Sequence, residues 1–134
     1  LGLGDRVEML GFATDEQLAA EYARASVFLH PQIEADDGAD IEGFGIAIAD
    51  AMQFGAVPIA GANGGPLDFI RDGENGYLVE AEDVGALASR IEALLSDDAQ
   101  RRTMSDRARE FAQRHFSWAE HVATIDQAFD SDRS

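Results

Sequence analysis

One stretch restricts this chain more than any other: Glu42 to Gly65, EGFGIAIADAMQFGAVPIAGANGG. From Ile46 to Phe54 the residues are apolar on nearly every face, with Asp50 as the single acid. A helix that is apolar all round belongs inside a protein. Gly55 is placed to end it, because the left-handed conformation of a helix C-terminus is least costly for glycine. Val57-Pro58-Ile59-Ala60 then reads as a short buried strand, and Gly61 to Pro66 as a turn.

The start of that helix has the makings of a ligand site. Gly43-Phe44-Gly45 forms a glycine-bounded turn directly after Glu42. A helix N-terminus with small residues presents unsatisfied backbone N–H groups and the positive end of the helix dipole, which suits phosphate. Glu42 and Asp50 are separated by roughly 12 Å along a helix axis, given a rise of about 1.5 Å per residue. That span fits a sugar at one acid, a diphosphate at the glycines and a ribose at the other acid. Carboxylates accept paired hydroxyl hydrogens, whereas phosphate is better left to N–H donors.

The remaining chain alternates short apolar runs with helical patterns. Val7 to Phe12 (VEMLGF) predicts a strand, and Thr14 with Gln17 a capping box opening a helix to about Arg24. Ser26 to His30 (SVFLH) predicts a buried strand closed by Pro31. A short helix follows Pro66, turns are marked by Asp72-Gly73 and Asn75-Gly76, and Tyr77 to Val79 predicts a last strand. Asp83, then Asp97 with Asp98, then Ser117 with Glu120, open three further helices. Four short strands alternating with helices argue for an α/β layer fold with a parallel sheet. Ligands of such sheets lie beyond the carboxyl ends of the strands. His30, Glu42 and Gly64 all follow strand ends and are expected to share one face.

Length and charge narrow the function. A chain of 134 residues is one domain by size, and 46% apolar residues suffice for a core. It has no cysteine, so neither a disulfide framework nor a thiolate metal site is available. No apolar run approaches a membrane span, and no signal peptide is evident, which suits the cytoplasm. A net charge of −16 argues against nucleic acid or an anionic membrane surface as partner. The acidic loop around Glu34, Asp36, Asp37 and Asp40 lacks the spacing of a calcium loop and reads as a rim beside the site, with no metal expected.

Glu42-Gly43-Phe44-Gly45, the seven residues separating two acids, Ala51-Met52, Gly55 and Val57-Pro58 together resemble the donor-site signature of retaining GT-B glycosyltransferases, glycosyltransferase family 4 in particular. Asp5-Arg6-Val7, Leu10-Gly11, Ala25 to Pro31, Gly64-Gly65, Asp72 to Val79 and Phe116-Ser117-Trp118 fall in the family's order. The resemblance covers nearly the whole chain. It departs at Asp50, where the family carries the longer glutamate. What it implies is the donor-binding half of a transferase that moves a hexosyl group from a nucleotide-activated sugar to an acceptor, with no cofactor and no metal. Glu42 takes the catalytic position and contacts the donor sugar. Phe44, Gly45 and Ile46 offer backbone N–H groups, Asp50 meets the ribose, and His30, Gly43, Gly64 and Gly65 line the donor.

Each of these has a plainer alternative. Glu42 is otherwise a surface loop acid, Asp50 a polar residue at a helix edge, His30 a structural strand-end histidine, and Gly64-Gly65 only a turn. The whole module is alternatively a non-catalytic nucleotide-sugar binding or scaffolding domain, and a sugar-nucleotide epimerase is a more distant option.

The resemblance also implies a partial doubly wound parallel sheet. In the family's strand order 3-2-1-4-5-6, this chain supplies strands 3 to 6, as VEMLGF, SVFLH, VPIAG and YLV. Strands 1 and 2, an N-terminal acceptor domain, and an Arg and a Lys for the diphosphate are expected upstream, so the chain alone is expected to be inactive. A bare edge recruits other strands. Three remedies follow: VEMLGF moves beside SVFLH, two copies pair as a homodimer, or the chain is cut from a larger ordered protein.

Overall fold

The computed structural model describes residues 2–32, 43–80 and 82–131. In chain order these form α1 (Asp15–Arg24), β1 (Val27–His30), α2 (Ile46–Phe54), β2 (Val57–Gly61), α3 (Pro66–Phe69), β3 (Tyr77–Val79), α4 (Val84–Ser96), α5 (Asp98–His115) and α6 (Trp118–Ser131). The three strands make one parallel sheet in the order β1-β2-β3. Val27 faces Val57 and His30 faces Ala60, while Ile59 faces Tyr77 and Gly61 faces Val79.

Helices cover both faces, as parallel sheets require. The two-residue period of the strands sorts the core. Phe28, Ala60 and Leu78 pack with Ile48 and Met52 of α2 and with Ala108 and Ala112 of α5. Val27, Val57, Ile59, Tyr77 and Val79 pack with Leu87, Ile91 and Leu94 of α4 and with Met104 of α5. Every residue of β2, the central strand, is buried. Tyr22 of α1 closes the flank, meeting Ala51 and the Phe28 ring.

The helix boundaries follow local chemistry. Thr14 N–H donates to Gln17 Oε1 at 2.9 Å, and Gln17 N–H donates to Thr14 Oγ1 at 3.3 Å, completing the capping box of α1. Asp83 caps α4 and Asp97 caps α5 by accepting from Ala86 N–H and Gln100 N–H. Glycine brackets α2: Gly45 precedes it at φ 88° and Gly55 ends it at φ 87°. The turn before β3 is built on buried Asn75, which donates to the Phe69 carbonyl at 3.0 Å and accepts from Arg71 N–H at 2.6 Å.

The expectation for Val7–Phe12 is corrected. These residues form no strand; Met9 is 90% exposed and Phe12 100% exposed. Alternation chooses which face of a strand is apolar, but a strand exists only where a ladder partner accepts its hydrogen bonds. Among the described residues β1 pairs only with β2, so VEMLGF has not moved beside SVFLH. The other three strands and all the expected helices are present.

Candidate functional site

Three segments lie at the carboxyl end of the sheet: Pro31-Gln32 and Gly43 to Gly45, the two ends of the β1–α2 connection, and Ala62 to Gly65 after β2. The last two are in van der Waals contact through backbone. A Cβ at Gly65 would lie 2.5 Å from the Gly43 carbonyl oxygen and 2.5 Å from Phe44 Cα. Glycine is therefore required at Gly65 by close approach. At Gly64, the reason is a left-handed φ of 60°.

The entrance to α2 is built without a charged side chain of its own. Gly45 offers no side-chain cap, and the first turn carries no acid. The Gly45 carbonyl accepts from Ile48 N–H and Ala49 N–H, so the helix is already regular there. Ile46 N–H and Ala47 N–H, the first donors of the helix, have no acceptor within it. Ile46 is 69% exposed. A positive helix end whose own first turn holds no acid is suited to an anion.

Asp50 lies one turn further along α2. With Phe44, Ile46, Ala49, Gln53, His115, Phe116 and Ser117 it lines a cavity of about 350 Å³. Its charge reaches the other side of the helix too. Burial first, and the Asp50 carboxylate second, push the Tyr22 phenol above its ordinary value. Phe44 anchors this region in an aromatic cluster, with ring centroids 5.5 Å from Phe69 and 5.4 Å from Phe116. The segment joining α5 to α6 is thereby fixed to the loop before α2.

The structure thus brings Gly43 and Phe44 against Gly65, and places Phe44, Ile46 and Asp50 around one cavity. His30 closes β1 half-buried, its ring 6.2 Å from that of Phe28, and does not line the Asp50 cavity. Glu42 and the acidic stretch of Glu34, Asp36, Asp37 and Asp40 lie outside the described residues. Residues not anticipated from sequence are Gln53, His115 and Phe116 at the cavity, and Gln32 with Asn63 at the strand ends. Phe116, with Ser117 beside it at the cavity, had a signal as part of the Phe116-Ser117-Trp118 motif.

Comparison with known proteins gives these positions a context. A family profile described as glycosyl transferases group 1 matches residues 1–111. A GDP-mannose-dependent alpha-(1-6)-phosphatidylinositol monomannoside mannosyltransferase of Mycolicibacterium smegmatis is 30% identical over 125 residues, covering 93% of this chain and 33% of that protein. A D-inositol 3-phosphate glycosyltransferase of Corynebacterium efficiens is 33% identical over 119 residues, covering 89% of this chain and 26% of that protein. Among solved structures, sucrose-phosphate synthase of Thermosynechococcus elongatus superposes with a TM-score of 0.82 at 33% identity, over 96% of this chain and 31% of that one. HepE of Anabaena in complex with UDP-glucose gives a TM-score of 0.83 at 27% identity, over 98% of this chain and 34% of that one. The chain spans about a third of the length of the first of these relatives. It belongs to the glycosyl transferases group 1 family.

Proposed function

We propose that this chain is the nucleotide-sugar donor-binding domain of a retaining, family 4 glycosyltransferase that transfers a hexosyl group to an acceptor. The observation that carries this reading is the N-terminus of α2, where Gly45 brings no side-chain cap and the first turn no acid, beside the Gly43-Phe44 backbone packed on Gly65 and with Asp50 one turn beyond. The UDP-glucose complex of the related HepE supports it.

In this reading the N–H groups at Phe44, Gly45 and Ile46 hold the diphosphate and sugar oxygens. Asp50 accepts from the ribose hydroxyls. Glu42, His30, Gly64 and Gly65 face the sugar. No residue of the described site is arranged as a nucleophile with a neighbouring base, so rate enhancement comes from positioning and from stabilising the leaving diphosphate. The helix end supplies fixed dipoles for that charge without a metal. Further segments would complete the sheet beside the edge of β1 that no described residue pairs with, bring basic groups to the diphosphate and supply the acceptor site, in a cytoplasmic enzyme. Among the described residues no helix is long and apolar enough to cross a membrane.

A second reading, a non-catalytic nucleotide-sugar binding module, draws on Asp50, which is one methylene shorter than the family's glutamate. Both readings are tested by Glu42→Ala in the complete protein. A lost charge-assisted hydrogen bond costs about 1.5–3 kcal/mol. Affinity for a nucleotide sugar should fall by that amount while affinity for the nucleoside diphosphate changes little. Equal losses for both ligands would refute the sugar contact. Intact binding with no transfer to any acceptor would favour the binding module.

A further inference from the structure

Gln32 and Asn63 close on each other across the carboxyl end of the sheet. Gln32 stands two residues beyond the end of β1, and Asn63 two beyond the end of β2. Gln32 Nε2 donates to the Asn63 backbone carbonyl at 3.3 Å, and Asn63 Nδ2 donates to the Gln32 backbone carbonyl at 3.4 Å. The approach depends on Gly61, where a Cβ would come within 2.8 Å of the Gln32 carbonyl oxygen. Each side-chain N–H₂ is therefore directed at the other loop. Both side-chain oxygens, Gln32 Oε1 and Asn63 Oδ1, are buried with no hydrogen-bond donor among the described residues.

A buried acceptor without a donor has lost its water and recovered nothing, and native folds keep few such groups. Here two occur in one reciprocal pair, at the strand ends where α/β sheets bind ligands. Asn63 directly precedes Gly64 and Gly65. The chemistry of the pair is one-sided: the two free positions accept hydrogen bonds and cannot donate. A diphosphate offers only acceptors to them, whereas a hexosyl group offers several O–H donors.

We propose that Gln32 and Asn63 are specificity-determining residues for the sugar half of the donor, their amide oxygens accepting from its hydroxyl groups. This rests on the donor-site reading above. The terminal amide torsions of Asn and Gln are broad, so each oxygen can turn out of its buried position toward an incoming hydroxyl without moving the backbone, giving up the long 3.3 and 3.4 Å bonds of the two N–H₂ groups. Occupied, the pair favours nucleotide sugar over the free nucleoside diphosphate that remains after transfer. It thereby separates substrate from product.

The test is titration calorimetry on the complete protein with UDP-glucose against UDP, and GDP-mannose against GDP. Gln32→Met removes the acceptor at nearly constant shape. It should weaken nucleotide-sugar binding on the order of tenfold while leaving the nucleoside diphosphate within about twofold. Asn63→Asp loses the N–H₂ group but keeps acceptor oxygens, so the ratio of the two affinities should stay at the wild-type value. Equal losses for both ligands in Gln32→Met, or no loss for either, would overturn the proposal while leaving the donor site standing. If Gln32→Met does not fold by circular dichroism, Asn63→Asp decides: a collapsed ratio makes the pair a purely structural clasp. Wild-type protein binding neither class of ligand would remove the donor-site reading and this proposal with it.

Discussion

Gly65 lies against Phe44 so tightly that a side chain of any size would enter the Phe44 backbone, its Cβ 2.5 Å from Phe44 Cα and 2.8 Å from the Phe44 carbonyl oxygen. Gly43, two residues before Gly45, has nothing within 4 Å of its would-be Cβ and no left-handed φ. The two glycines share a loop junction and differ in what they tolerate. Gly65→Ala should destabilise by about 1–3 kcal/mol, the usual cost of overpacking. Gly43→Ala should stay within about 0.5 kcal/mol of wild type. Urea unfolding midpoints at constant m-value measure both, and equal effects would mean the Gly65 contact is not rigid.

Asp50 links the cavity to Tyr22. Asp50→Asn removes the charge that helps hold the Tyr22 phenol above its ordinary value, so the Tyr22 transition in an ultraviolet pH titration should move down, though burial keeps part of the shift. The sign for stability follows. A phenol raised in the folded state contributes stability that is present below its unfolded pKa near 10 and is lost as pH rises through the folded value. Wild type should therefore lose more stability on the alkaline side than Tyr22→Phe does. Coincident alkaline limbs would contradict the burial of that hydroxyl.

Asp50→Glu tests reach. If Asp50 meets the ribose, the added methylene should preserve or tighten nucleotide binding, and Asp50→Asn should weaken it. Loss of binding in Asp50→Glu with retention in Asp50→Asn would assign the ribose elsewhere.

The net charge of −16 sets a salt dependence. Self-repulsion destabilises the compact state, and the screening length falls from about 30 Å at about 0.01 M to about 8 Å at about 0.15 M ionic strength. The melting temperature should rise by several degrees over that interval. A flat response would mean that local ion pairs already cancel the repulsion.

What could be read from the chain was local. The capping residues Thr14, Asp83 and Asp97, the glycine that ends α2, and the apolar runs of β1, β2 and β3 each act on neighbours within a few residues. Their signals survive without the rest of the fold. VEMLGF carried the same kind of signal and failed, because alternation describes a strand's faces and says nothing of its ladder partner. Within the site, the Gly43–Ile46 turn was legible from glycine spacing. The Gln32–Asn63 pair, 31 residues apart, was not, nor was the contact of Phe44 with Phe116. No periodicity encodes which loops a sheet brings together. Such pairs emerge only when register and crossover are fixed.

The N-terminus of α2 is tested as an anion site most directly by adding an acid there. Ile46 is 69% exposed and is the first residue of the helix, so Ile46→Asp fits sterically. An acid in the first turn favours the helix by about 0.3–1 kcal/mol. The same charge competes with a bound diphosphate. The measurement is a pair of titrations of the complete protein, by calorimetry with UDP and GDP and by thermal unfolding. Expected is an unchanged or higher melting temperature together with at least roughly tenfold weaker binding, a difference of about 1.4 kcal/mol. Undiminished affinity in a fully folded Ile46→Asp protein would contradict the anion site.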